Sequence, residues 1–185
     1  MGYFRTRDIA GITVFASLWG VLNSMISPVF FQLFNLPFLC DLIGFASLIL
    51  AVWYVRKVGT ATLVGFIATV LNFILTPWAI HFLGFTASSI VFDFLAFLVG
   101  YSRLFQSKAP GSLILFSISV FCSATAGWII GVFFMPAPSL HRWGGILAWA
   151  GLHAIGGVLG GAIGVSVVNA LPLRGITPRT VEISR

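Results

Sequence analysis

The sequence predicts an all-α membrane protein: a bundle of six transmembrane helices forming one integral membrane domain, residues 1–185, with both termini cytoplasmic. Three observations carry that prediction. Of the 185 residues, 59% are hydrophobic and only 8% charged, with a mean hydropathy of +1.07, whereas about a quarter of a soluble domain is charged. The apolar residues gather into six runs of roughly 17 to 28 residues, the length a helix needs to cross about 30 Å of hydrocarbon. The basic residues fall on alternate connections between those runs, as the positive-inside rule requires.

The first run, about residues 8–26, follows Arg5 and Arg7 and is expected to end at Ser27-Pro28, because proline cannot continue the backbone hydrogen-bond ladder. It is too long for the apolar core of a cleavable signal peptide and reads as a retained helix. The second run, 39–55, begins after Asn35-Leu36-Pro37 and ends at the Arg56-Lys57 turn. The third, 58–75, closes at Thr76-Pro77. The fourth covers 82–101, the fifth 112–134 and the sixth 144–171, leaving 172–185 as a cytoplasmic tail.

With the N-terminus inside, Arg5, Arg7, Arg56, Lys57, Arg103, Lys108, Arg174, Arg179 and Arg185 are all cytoplasmic, and Arg142 is the one external cation of the 10 lysines and arginines. A multi-pass protein of the cell membrane follows from that asymmetry. The net charge of +6 is therefore no argument for nucleic acid, and the lipid bilayer is the expected surrounding. Cys40 and Cys122 lie in or beside apolar runs without CxxC spacing and read as small packing residues.

Polar residues in apolar runs are the candidates for function. Asp93 stands inside Ile90-Val-Phe-Asp-Phe-Leu-Ala-Phe-Leu-Val-Gly-Tyr101, near the expected midplane, where an ionised carboxylate must face protein, water or a ligand. Asn23, Asp41, Asn72 and His153 are expected in the outer half. Gln32, Asn35 and His81 lie in the external loops, and Trp19, Trp78, Trp143 and Trp149 recur at similar levels. Trp19 and Asn23 share a helix face at i, i+4, as do Trp149 and His153. Each residue also has a structural reading: Trp78 and Trp143 as an interfacial belt, Asn23, Asn72 and His153 as interhelical hydrogen bonds, Asp41 as a solvated interface residue, and Asp93 as the partner of His153.

Small residues recur at four-residue spacing in Ala16-x-x-x-Gly20 and in Gly156/Gly160/Gly164 with Gly157/Gly161. Such stripes let helices approach closely. For the last helix the partner is expected within the bundle. For the first helix a separate membrane partner is the functional reading.

The Arg-x-Arg-Asp start (Arg5, Arg7, Asp8) leading to Ala16-Ser-Leu-Trp-Gly20, six helices in a short chain, and the turn Val55-Arg-Lys-x-Gly-Thr60 together resemble a substrate-binding S-component of an energy-coupling-factor (ECF) vitamin transporter. The stretch through the third helix is most similar to the thiamine and hydroxymethylpyrimidine group. The architectural likeness covers the whole chain, but the motifs lie within about residues 5 to 75. The resemblance implies a vitamin enclosed by the external halves of the helices. It also implies a coupling transmembrane subunit docked on Ala16 and Gly20, with energy from two cytoplasmic ATPase subunits. Gly20 departs from the family, which prefers Ala there.

Asp93, Asp41 and the tryptophans suit a flat, cationic heteroaromatic ligand, since ring faces attract cations and a carboxylate pairs the charge. Substrate binding is thus assigned to Asp93, His153, Trp149, Trp19, Asn23, Asn72 and Asp41. No GxxxxGK[ST] is present, so any ATP-derived energy comes from partners. No nucleophile–base set or carboxylate pair stands at helical spacing, so neither an enzyme nor a cofactor is expected. A metal-uptake subunit using His81, His141, His153 and Asp93 lacks ligand spacing and the metal-type Met-His N-terminus of the family. A proton-coupled carrier centred on Asp93 is another use of the same residue, and a structural or assembly subunit is a further alternative.

Overall fold

The computed structural model describes residues 3–106 and 108–176, and among these every regular element is helical. Helix α1 spans Thr6–Phe34, α2 Phe38–Val55, α3 Thr60–Leu75, α4 Phe82–Val99, α5 Tyr101–Gln106, α6 Lys108–Phe133, α7 Ala137–Arg142 and α8 Ile146–Ala170. A single 3-10 turn, Pro172–Arg174, follows. Five of these helices are long and apolar enough to cross a membrane: α1, α2, α4, α6 and α8. The remaining apolar helix, α3, has 16 residues, or about 24 Å at 1.5 Å per residue.

Helix α1 does not stop at Pro28 but runs on to Phe34, contrary to the sequence expectation. A proline removes one ladder hydrogen bond, and tertiary packing outweighs that loss here. Phe30 packs against Phe34 and, edge to face, against Phe38 at 4.8 and 5.3 Å between ring centroids, holding the end of α1 against the start of α2. Asn35, in the left-handed conformation at φ 53, closes the helix, its N–H bonded to the Phe31 carbonyl. The fourth run is shorter than expected because Gly100 adopts φ 87 and breaks α4 from α5. Helix α7 lies inside what the sequence left as a loop.

The two motif segments near the N-terminus meet. Asp8 accepts the backbone N–H of Arg5 at 2.9 Å, capping α1, and takes a 2.6 Å ion pair from Lys57 in the turn after α2. The Lys57 ammonium also bonds the Tyr3 carbonyl at 2.6 Å.

The apolar helices α1, α2, α3, α4, α6 and α8 run alternately in opposite directions. The start of α1, the ends of α2 and α8, α5 and the start of α6 gather at one end, as the Lys57–Asp8, Arg56–Phe105 and Asn169–Ser112 contacts record. This basic end holds Arg5, Arg7, Arg56, Lys57, Arg103 and Arg174. Lys108 begins α6 there, and Arg179 and Arg185 lie outside the described residues.

Glycine sets the closest contacts. A Cβ at Gly156 would stand 2.4 Å from the Phe38 carbonyl oxygen and 2.5 Å from Asp41 Cβ, and at Gly160 2.6 Å from the Leu42 carbonyl. One glycine row of α8 therefore lies against α2. Gly157 and Gly161 meet Ser123 and Ser119 of α6 in the same way, so the α8 stripe is an internal packing face.

The α1 stripe is internal too. Ala16 and Gly20 are buried, and a Cβ on Gly20 would lie 2.9 Å from Leu71 Cβ and 3.3 Å from the Ala68 carbonyl of α3. Assigning these two residues to a coupling-subunit interface is corrected accordingly: they offer a partner no surface.

Candidate functional site

At the end opposite the basic residues, a cavity of about 490 Å³ opens between the end of α1, the start of α2, the end of α3, the start of α4, the end of α6 and the start of α8. That volume lies within the range of small-molecule sites. Its aromatic wall includes Phe31, Trp78, Phe85 and Trp149, and its polar groups include Asn23, Ser27, Gln32, Asn72, His81 and His153. Cys40 also lines it, its thiol donating to the Pro37 carbonyl at 2.7 Å.

Four of the seven residues assigned to substrate from sequence line this cavity. Asn23 and Asn72 are joined by a 2.9 Å amide hydrogen bond, Asn72 donates to the Ala68 carbonyl at 2.8 Å, and Ser27 donates to Asn23 Oδ1 at 2.9 Å. This network ties α1 to α3 and fixes the amides as a polar strip of wall. Trp149 and His153 stand one turn apart on α8, their rings 5.1 Å apart and nearly perpendicular.

Asp41 is not a solvated interface residue. It is fully buried, and its Oδ2 lies 2.7 Å from His153 Nδ1 while Oδ1 accepts the Ser123 hydroxyl at 3.0 Å. The Oδ2 atom lies off the ring N–H direction, so the contact is a close approach rather than an aligned hydrogen bond. Ser123 also lies against the His153 carbonyl, and its one hydroxyl proton can serve only one of the two acceptors. Gly127 brings α6 onto the other side of the ring, since a Cβ there would meet His153 Cβ and Cγ at 2.7 Å. Asp41 thus reaches the cavity only through His153.

Trp19 is fully buried behind the wall. It packs against Phe82 and Phe85 at 5.6 and 5.9 Å, with α2 brought close at Gly44, where a Cβ would lie 2.6 Å from the indole. It supports Phe85 and does not line the cavity.

Asp93 is elsewhere. Its Oδ2 accepts the backbone N–H of Thr62 at 3.0 Å and its Oδ1 the Tyr101 hydroxyl at 3.0 Å. It therefore caps the N-terminus of α3 towards the basic end, and it is not among the residues around the cavity. The substrate role and the His153 pairing are both corrected: an unpaired N–H at a helix start holds the carboxylate, and His153 pairs with Asp41. Burial, then the adjacent Asp93, raises the Tyr101 phenol above its ordinary range.

His81, just before α4, completes the rim. The protein packed around it, and secondarily His153, hold its imidazole below the ordinary histidine range although one edge is open to the outside. Among the described residues, no three His, Cys, Asp or Glu side chains gather in a way that could hold a metal. Ser123 and Phe85 were missed from sequence. Ser119 and Ser123, four apart in an apolar run and facing the glycine pairs of α8, are the signal that could have found the first.

Four buried nitrogens have no hydrogen-bond partner among the described residues: Trp19 Nε1, Trp149 Nε1 and both ring nitrogens of His153, of which Nδ1 faces Asp41 Oδ2. Trp149 and His153 are cavity residues. A second cavity, about 520 Å³ at the basic end, includes Arg56, whose guanidinium lies 5.1 Å from the Phe105 ring centre, and otherwise mainly apolar groups.

No protein-family model, no curated protein and no solved structure matches this chain.

Proposed function

We propose that the chain is the substrate-binding membrane subunit of an ECF-type importer, taking a small heteroaromatic vitamin or precursor from outside the cell, with thiamine or hydroxymethylpyrimidine favoured. All six apolar helices, α3 included, cross the cell membrane, with the basic end and both termini cytoplasmic. The observation that carries the reading is the 490 Å³ cavity at the non-basic end, where aromatic rings surround a few convergent polar groups. A flat ring fits between such walls, and the ring faces can hold a positive charge. Because Asp93 lies outside the cavity, the pyrimidine portion, common to both candidates, is the part recognised. Release inside is driven by a coupling subunit and two cytoplasmic ATPase subunits.

The test is tryptophan fluorescence of the purified protein titrated with thiamine, hydroxymethylpyrimidine, riboflavin, biotin and divalent nickel or cobalt. Saturable quenching by a pyrimidine compound is expected, and silence across the organic compounds sinks the reading. A second reading, a stand-alone proton-coupled carrier, draws on the buried Asp41–His153 pair at the cavity. Substrate uptake by vesicles containing this chain alone would favour it, whereas co-purification with ATPase subunits favours the importer.

A further inference from the structure

The Asp41–His153 pair is buried beside the cavity, which His153 lines. Asp41 is 0% and His153 2% exposed by side chain, and the neighbouring groups are the Ser123 hydroxyl of α6, the Cys40 thiol of α2 and the His81 ring before α4. Among the described residues no lysine or arginine pairs with the carboxylate. A net charge left alone in such surroundings is strongly disfavoured, so the pair is most stable when its total charge is zero.

With the Ser123 hydroxyl donating to Asp41 Oδ1, so that any proton on the carboxyl sits on Oδ2 facing the ring, zero total charge can be reached in two ways. Either Asp41 is ionised and His153 carries both ring protons, or Asp41 is protonated towards Nδ1 and His153 is the neutral tautomer with its proton on Nε2. Both forms place a hydrogen on Nε2. Only the singly negative form, an ionised Asp41 beside a neutral ring protonated at Nδ1, leaves Nε2 as an acceptor.

We propose that the Asp41–His153 pair is kept net neutral, making His153 Nε2 a hydrogen-bond donor that joins the Trp149 indole N–H in recognising a ligand with a lone-pair edge, such as a ring nitrogen or carbonyl oxygen. This rests on the substrate-binding reading above and adds the chemistry of the recognised edge. Independent support comes from the two nitrogens themselves: both are buried, neither has a hydrogen-bond partner among the described residues, and they belong to residues one turn apart on α8 that line one cavity. Asp41 is here a positioning residue, setting the proton on a ring that meets the ligand. A cationic centre on the ligand is directed away from this edge and towards the aromatic walls.

The proton can be observed without any ligand. Protein labelled with 15N in histidine and carrying His81→Gln and His141→Gln keeps one histidine, and a one-bond 1H–15N correlation at Nε2 in lipid nanodiscs at pH 7 is expected. A bare-nitrogen signal at Nε2 overturns the proposal, whatever the protein binds. In the unsubstituted protein, fluorescence titration compares hydroxymethylpyrimidine with 2-amino-4-methylbenzyl alcohol, which keeps the amino, hydroxymethyl and methyl groups but replaces both ring nitrogens by C–H. The pyrimidine is expected to bind at least about tenfold more tightly, the scale of one hydrogen bond involving a charged group, and equal binding overturns the proposal. A protonated Nε2 with no binding of either compound upholds the donor assignment and removes the pyrimidine reading of the function.

Discussion

The carboxylate of Asp93 on α4 accepts the backbone N–H of Thr62 on α3 at 3.0 Å. Helix α3 starts from Gly59, which has no side chain to bond its first turn, and the cap is supplied by a neighbouring helix. A charge inside an apolar run is thereby explained by the helix terminus that it faces, with Tyr101 donating to its other oxygen.

Asp93→Asn keeps one acceptor oxygen for two half-buried donors. The variant should lose about 1–3 kcal/mol of stability, the scale for leaving one buried polar group unpaired, while ligand affinity of the folded protein is unchanged. Thermal unfolding in detergent combined with ligand titration checks both parts. A large loss of affinity at unchanged stability would return Asp93 to the substrate site.

Tyr101 gives the same junction a pH signature. Its phenol is raised above the ordinary 10.0 by burial and by Asp93, so the folded state holds this proton more tightly than the unfolded state. The resulting stabilisation is fully present below about pH 10, and it declines as the pH rises from there towards the folded value. The wild type should therefore lose stability above pH 10 more steeply than Tyr101→Phe. Parallel stability curves between pH 8 and 11 would show that the junction does not hold the phenol's proton.

The stripe at Ala16 and Gly20 makes a different prediction from the one its spacing suggests. Ala16 has no exposed surface, so Ala16→Leu forces three extra carbons into a packed contact and should destabilise the chain by about 1–3 kcal/mol. Ligand binding should fall with the folded fraction. Val14→Leu on the exposed face of α1, where Val14 is 63% exposed, should be neutral. Unaltered melting of Ala16→Leu, measured beside that control, would restore the stripe as free surface.

Much of the architecture was legible in the sequence because burial in a bilayer imposes long apolar runs, and because glycine spacing on one face of a helix announces a close approach. The Trp149 and His153 pairing on one face was legible for the same reason: it is local. What spacing could not supply was the partner of each buried charge. Asp41 and His153 meet only because α8 packs on α2 through Gly156 and Gly160, and the glycine spacing beside His153 announces a close approach without saying which helix it meets. For Asp93 a clue was present in Gly59, a helix start without a capping side chain, but its meaning depended on α4 lying beside α3.

Gly156 tests the contact that builds the cavity. In an ordinary helix interior, replacing glycine by alanine stabilises by about 0.5–1 kcal/mol through reduced chain entropy. At Gly156 the added Cβ would stand 2.4 Å from the Phe38 carbonyl oxygen and 2.5 Å from Asp41 Cβ, both on α2, so the helices must separate. Gly156→Ala should therefore lower stability by about 1–3 kcal/mol, and in the fraction that folds it should weaken ligand binding by moving Asp41 away from His153. Gly151→Ala is the matched control on the same helix, because a Cβ there meets nothing within 4 Å; it should hold or raise the melting temperature. Equal behaviour of the two variants would mean that α8 does not lie on α2 through this glycine, and the Asp41–His153 pair would lose its structural basis.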